Sequence, residues 1–214
     1  TYSYRGLNDL SGTFHDLYRC RLARGQYRDK LRPILLNNWE ATYFKFNADK
    51  LERLAQEGKT LGIELFVLDD GWFGKRNNAK SSLGDWYVNN QKLPDGLKGL
   101  AERINQLGMD FGIWFEPEMV SMDSDLYRNH PDWCIQVPNR PKSLGRDQLV
   151  LDLTREDVCE YIIEAVSTIL LSAADSEKYG ENLLLKSSEA RTNCLLLPLL
   201  FSSFFPQPAS VPAT

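Results

Sequence analysis

Ile63-Glu64-Leu65-Phe66-Val67-Leu68-Asp69-Asp70-Gly71-Trp72 is the stretch on which the reading of this chain turns. It is an apolar run of strand length, too short for an ordinary helix. Its core, Leu65 to Leu68, is apolar at consecutive positions, the pattern of a strand covered on both faces in a parallel sheet. It then stops at two adjacent carboxylates, a glycine and an indole. Two ionised carboxylates left unpaired in a core would each cost several kcal/mol, on the order of the penalties for burying charge. They therefore belong at a polar site beyond the strand's carboxyl end, where α/β folds bind ligands.

The same pattern repeats on either side. Pro33-Ile34-Leu35-Leu36 is a short apolar run that gives way to Asn37, Asn38, Trp39 and Glu40. Asn47 is placed to cap a helix whose apolar stripe is Leu51, Leu54, Ala55 and Leu61, with Gly62 as its stop. Beyond Trp72 a long loop from Phe73 to Gly96 carries Asp85-Trp86. A second helix follows through Leu97, Leu100, Ala101, Ile104 and Leu107, stopped at Gly108. Phe111 to Phe115 reads as the next strand, ending in Glu116-Pro117-Glu118. Leu149 to Leu153 is a fourth apolar run, and Val158, Ile162, Ala165, Val166 and Ile169 stripe the helix after it, with Thr154 and Asp157 as a near-capping box. Strands alternating with helices predict a parallel sheet with right-handed crossovers. Acids at successive strand ends favour a (β/α)₈ barrel, whose site is assembled from those ends. A Rossmann sheet is disfavoured, since no G-x-G-x-x-G turn follows the first strand.

The expected fold is thus α/β, roughly the first half of a TIM barrel over residues 33–171. Residues 1–32 are polar and basic, with a helix expected from Ser11 to Gly25, and read as a lead-in segment that packs on something upstream. Residues 172–214 break the pattern; from Thr192 to the end there is no charged side chain, and the segment reads as an irregular, aberrant tail.

The bulk numbers narrow the function. A net charge of −4 over 214 residues, without a basic stripe, argues against nucleic acid and anionic membrane as partners. The four cysteines have no C-x-x-C spacing, so neither zinc nor a disulfide framework is indicated. Carboxylates that accept from vicinal hydroxyls, beside indoles that stack on a sugar ring, suit a carbohydrate site. A magnesium site built from Asp69, Asp70, Glu116 and Glu118 is the rival reading.

Five segments together carry a resemblance: Asn37-Asn38-Trp39-Glu40-Ala41, Leu68-Asp69-Asp70-Gly71-Trp72-Phe73, Leu83-Gly84-Asp85-Trp86, Gly112-Ile113-Trp114-Phe115-Glu116-Pro117-Glu118-Met119 and Ser143-Leu144-Gly145-Arg146. In this order they resemble the α-galactosidases of glycoside hydrolase family 36, from about Tyr2 to Leu170. The resemblance implies a (β/α)₈ catalytic barrel between a β-sandwich and a β-rich domain. It implies retaining hydrolysis of terminal α-galactosides such as melibiose and raffinose, no cofactor or metal, and homo-oligomers for full-length members. It implies substrate-binding roles for Trp39, Asp69, Asp70, Trp114 and Arg146, with the two aspartates on hydroxyls far from the scissile bond. A retaining glycosidase also needs a nucleophile and an acid/base about 5–5.5 Å apart. The family's Lys-Trp-Asp nucleophile motif occurs nowhere in this chain, so no catalytic residue is carried over. Two alternatives stand beside the hydrolase: a non-catalytic galactose-binding remnant, and a magnesium-dependent hydrolase.

Overall fold

Strand β2, Leu65–Leu68, is the centre of a three-stranded parallel sheet, flanked by β1, Leu35–Asn37, and β3, Asp110–Ile113. The structure is a computed structural model and describes residues 2–23, 28–142 and 146–173. Leu36 stands opposite Phe66 and Phe66 opposite Phe111, so the three strands run in step and end side by side at Asn37, Leu68 and Ile113. The α/β order expected from the sequence is present: the connections between these strands contain α3, Ala48–Thr60, and α4, Gly96–Gln106.

Local chemistry sets the helix ends. The Asn47 side chain accepts from the Lys50 amide at 3.0 Å and starts α3, a cap worth about 1 kcal/mol. At the other end Gly62, at φ 85°, lets its own amide reach Lys59 and the Ile63 amide reach Gly58. This is a Schellman closure that a left-handed glycine permits cheaply, and it delivers the chain straight into β2. Leu51 and Ala55 of α3 and Leu97, Leu100 and Ile104 of α4 join Phe66 and Leu68 in one core.

Three expectations change. Leu65 and Val67 are only half-buried while Phe66 and Leu68 are fully buried, so the described residues cover one face of β2, not both. The fourth apolar run does not extend the parallel sheet. Its strand β5, Gln148–Val150, pairs antiparallel with β4, Met119–Ser121, in a separate two-stranded ribbon. An apolar run fixes neither the partner nor the direction of a strand. Finally, Asp152 rather than a Thr154–Asp157 box organises the approach to α6, Glu156–Ala173: its carboxylate accepts from the Thr154 amide and hydroxyl.

Residues 1–34 form a unit apart from residues 35–214. Within it α1, Leu7–Leu17, starts after Gly6 rather than at Ser11, and continues as a π-helical turn from Tyr18 to Leu22. No residue of α1 is buried. Another short helix, α2, Trp39–Thr42, follows β1 directly, and α5, Asp125–Asn129, sits between β4 and β5. Cys20 is an exposed free thiol and Cys134 a buried one. Among the described residues no helix is long and apolar enough to cross a membrane. The tail expected over 172–214 lies outside the described residues from position 174 onward.

Candidate functional site at the carboxyl ends of the parallel strands

Where β1, β2 and β3 end together, their polar residues meet. Asn37 and Asn38 close β1 and fasten onto the turn after β2. The Asn38 side-chain oxygen accepts from the Asp69 amide at 2.7 Å, and its side-chain nitrogen donates to Thr42. Asn37 donates to an Asp69 carboxylate oxygen at 2.5 Å and accepts from the Trp39 amide at 2.7 Å. One amide side chain therefore fixes the position of both Asp69 and Trp39. The second Asp69 oxygen accepts from the Asp70 amide. Burial pushes the Asp69 carboxyl above its usual range, against these hydrogen bonds.

Asp70 is held by a residue to which the sequence reading gave no role. Arg76 folds back from the following loop and is fully buried. Its Nε donates to Asp70 Oδ1 at 2.9 Å and its Nη2 to Oδ2 at 2.9 Å, while its Nη1 donates to the carbonyls of Ala79 and Ser81. Such a fork-to-fork pair combines charge with fixed geometry. Lys92 closes the same loop from below, donating to the carbonyls of Gly71 and Arg76; burial lowers its pKa to about 8. No periodicity marks an arginine that turns back on its own loop, so the only available clue was an unpaired cation close to an acid pair.

The loop from Phe73 to Gly96 is tightly folded. Phe73 bridges to Val88, and Trp72, Phe73, Trp86 and Phe115 pack ring against ring at centroid distances of 4.5–6.1 Å. Trp86 is thus a core residue, and Asp85 holds structure: one oxygen accepts from the Asp125 and Leu126 amides at the start of α5. Gly84, at φ 103°, passes so close to Leu126 that a Cβ there would sit 2.9 Å from its side chain. Trp72 is fully buried and donates its indole N–H to the Trp114 carbonyl.

The remaining expected site residues lie at the ends of β1 and β3 and beside β5. Trp39 is half-buried and meets Tyr43 and Phe44 edge-on at about 5 Å. Trp114 directly follows β3, is half-buried, and donates its amide to the Leu68 carbonyl at 2.9 Å. Arg146 precedes β5 at φ 54° and forms an ion pair with Glu116. Glu116 is pushed up to about 7, first by burial and further by Glu118 and Asp70, against the pull of Arg146 and Arg76. Among the described residues the Oε2 atoms of Glu116 and Glu118 and Oε1 of Gln148 are buried without a hydrogen-bond partner.

The magnesium reading does not fit this donor set. Both Asp70 oxygens already carry a buried guanidinium, and a divalent cation there would be placed against it. Among the described residues no three His, Cys, Asp or Glu side chains converge on a metal position.

The comparisons with known proteins now meet this geometry. A model of the melibiase family matches residues 1–192. The chain belongs to the melibiase family. It is 64% identical over 172 residues to the α-galactosidase AgaA of Geobacillus stearothermophilus, a match covering 80% of this chain and 24% of the relative. The crystal structure of that family 36 enzyme superposes with a TM-score of 0.76, covering 81% of this chain and 24% of that one. The α-galactosidase Mel36A of Lactobacillus acidophilus is 49% identical over 177 residues, 83% of this chain and 24% of the relative. A variant of AgaA solved in complex with stachyose superposes with a TM-score of 0.75 at 64% identity, again covering 81% of this chain and 24% of that one. The chain therefore spans about a quarter of the length of the curated relatives it matches, and the melibiase family is the one to which its sequence motifs pointed.

Proposed function

We propose that this chain is part of a retaining α-galactosidase of the melibiase family and forms the end of the site that holds the galactose ring. The observation that carries the reading is the convergence of three adjoining strand ends: Asp69 and Asp70 after β2, Trp114 after β3, and Trp39 after β1, fixed to Asp69 through Asn37. Asp69 and Asp70 are ionisable acceptors with lone pairs left over, suited to two neighbouring ring hydroxyls. Trp39 and Trp114 supply apolar faces for the ring, and Arg146 donates from the β5 side. The half-buried face of β2, Leu65 and Val67, is the face that would look into a (β/α)₈ barrel, and residues 33–171 are its front part. Residues 1–32 are then the segment leading in from an upstream domain. The substrates are terminal α-galactosides of the melibiose and raffinose type.

Because Lys-Trp-Asp is absent from the sequence, the chain by itself holds the sugar and does not cleave it. Calorimetric titration with methyl α-D-galactopyranoside and its glucose epimer tests this: the galactoside binds and the glucoside does not. The chain releases no p-nitrophenol from p-nitrophenyl α-D-galactopyranoside. Equal binding of the two epimers would sink the galactose reading, and release of p-nitrophenol would sink the division between holding and cleaving.

A further inference from the structure

We infer that Arg76 is the positioning residue of this sugar site, acting on the ligand solely through Asp70. The inference rests on the galactose-holding reading above but is decided by its own measurements. Arg76 has no exposed surface, so it cannot itself reach a ligand. All three of its guanidinium nitrogens are engaged, Nε and Nη2 on the Asp70 carboxylate and Nη1 on the carbonyls of Ala79 and Ser81. Asp70 follows the sheet directly, whereas Arg76 comes from the loop, so the fork ties the carboxylate to the loop at two points. A carboxylate gripped on both oxygens has one orientation. The fork occupies one side of the group and leaves lone pairs on the other side for hydroxyl protons. Lys92 fixes the backbone on which the fork stands, through the carbonyls of Gly71 and Arg76. Lysine would not replace arginine here, because a point charge on a flexible stem cannot make two parallel bonds.

The test is a cycle of four chains, wild type, Arg76→Lys, Asp70→Asn and the double variant, titrated with methyl α-D-galactopyranoside. Alongside, three-bond NMR couplings report the χ1 angle of residue 70 without ligand. The expected result is that Arg76→Lys weakens binding by about tenfold, the scale of one misaligned charge-assisted hydrogen bond. The double variant binds as weakly as Asp70→Asn and no weaker, and the Asp70 couplings change from one rotamer in the wild type to an average in Arg76→Lys. Losses that multiply in the double variant would overturn the inference, as would unchanged affinity and couplings in Arg76→Lys. Should Arg76→Lys unfold the chain, D70N/R76M takes its place, since it leaves no buried charge, and it must match Asp70→Asn in affinity. If the wild type binds no galactoside, the function proposed above fails. The couplings then decide the positioning role by themselves: one Asp70 rotamer in the wild type upholds it and an average removes it.

Discussion

The ends of β2 and β3 each join a carboxylate to an arginine, and they do so in opposite ways. At β2, Arg76 is fully buried and grips Asp70 through both oxygens, with the acid side chain only 8% exposed. At β3, Arg146 is 47% exposed and meets Glu116 through one oxygen, while the other Glu116 oxygen is buried without a partner among the described residues. In the first pair the fold engages the arginine and fixes the orientation of the carboxylate. Among the described residues the second retains donors without partners on an arginine facing solvent, and an acceptor without one on an acid pushed up to about 7. A fixed pair defines a binding geometry, and a loosely held pair can exchange a partner when a ligand arrives.

The largest expected effect separates the pairs by stability. Arg76→Met leaves Asp70 buried without its counter-charge and should lower the unfolding free energy by about 3–5 kcal/mol, the usual cost of breaking a buried pair. Arg146→Met should cost only about 0–1 kcal/mol, as for surface pairs. Urea denaturation of both variants measures this, and equal losses would erase the distinction between the two strand ends.

Next in size is a pH dependence that belongs to the β3 end. Glu116 titrates near 7 in the folded chain against 4.5 for an ordinary glutamate. Between those values the folded state holds a proton that the unfolded state has released, so stability is fully present below about 4.5 and declines as pH rises to about 7. Asp69 and Glu118, both raised by burial, act in the same direction. Glu116→Gln should flatten the part of the decline centred nearest 7, followed by thermal melts from pH 4 to 8. A decline unchanged in that variant would assign the proton elsewhere.

What could be read from the sequence follows the same division. The end of β2 was legible because a strand-length apolar run stopping at two acids has few physical solutions, and because Asn47 and Gly62 bracket the preceding helix with local signals. Arg76 was not legible. Its role depends on a loop that returns upon itself through Trp72, Phe73 and Trp86, contacts that have no spacing rule. Those same contacts place Trp86 in the core. The β4–β5 ribbon escaped for a related reason: three residues such as Met119–Ser121 carry too little pattern to show a strand, and direction of pairing is set by tertiary structure.

Lys92 supplies a third prediction, of the opposite sign and confined to the β2 end. Its folded pKa is about 8 and its ordinary one 10.5, the lowering being due to burial, with Asp70 opposing it. Between these values the unfolded chain binds the extra proton, so stability should rise as pH climbs from about 8 towards 10.5. Lys92→Met should abolish that rise. A rise that persists would mean that the loop carrying Arg76 is not seated on a buried amine.

The smallest expected effect is the control for the whole comparison. Lys80 and Asp147 pair at 2.8 Å across the same mouth, linking the loop that carries Arg76 to the segment that carries Arg146, but their side chains are 74% and 47% exposed. If burial rather than proximity of charge makes the β2 pair structural, Lys80→Met should leave the urea midpoint of the chain unchanged within error, in low and high salt alike, because an exposed pair is screened and its long side chain loses entropy on pairing. It should also leave galactoside affinity unchanged, since neither partner touches the strand ends. A midpoint shift as large as that of Arg146→Met would mean that the mouth is held together by its surface charges. The solvent exposure of Arg146 would then no longer support the role proposed for it as the arginine that meets a sugar.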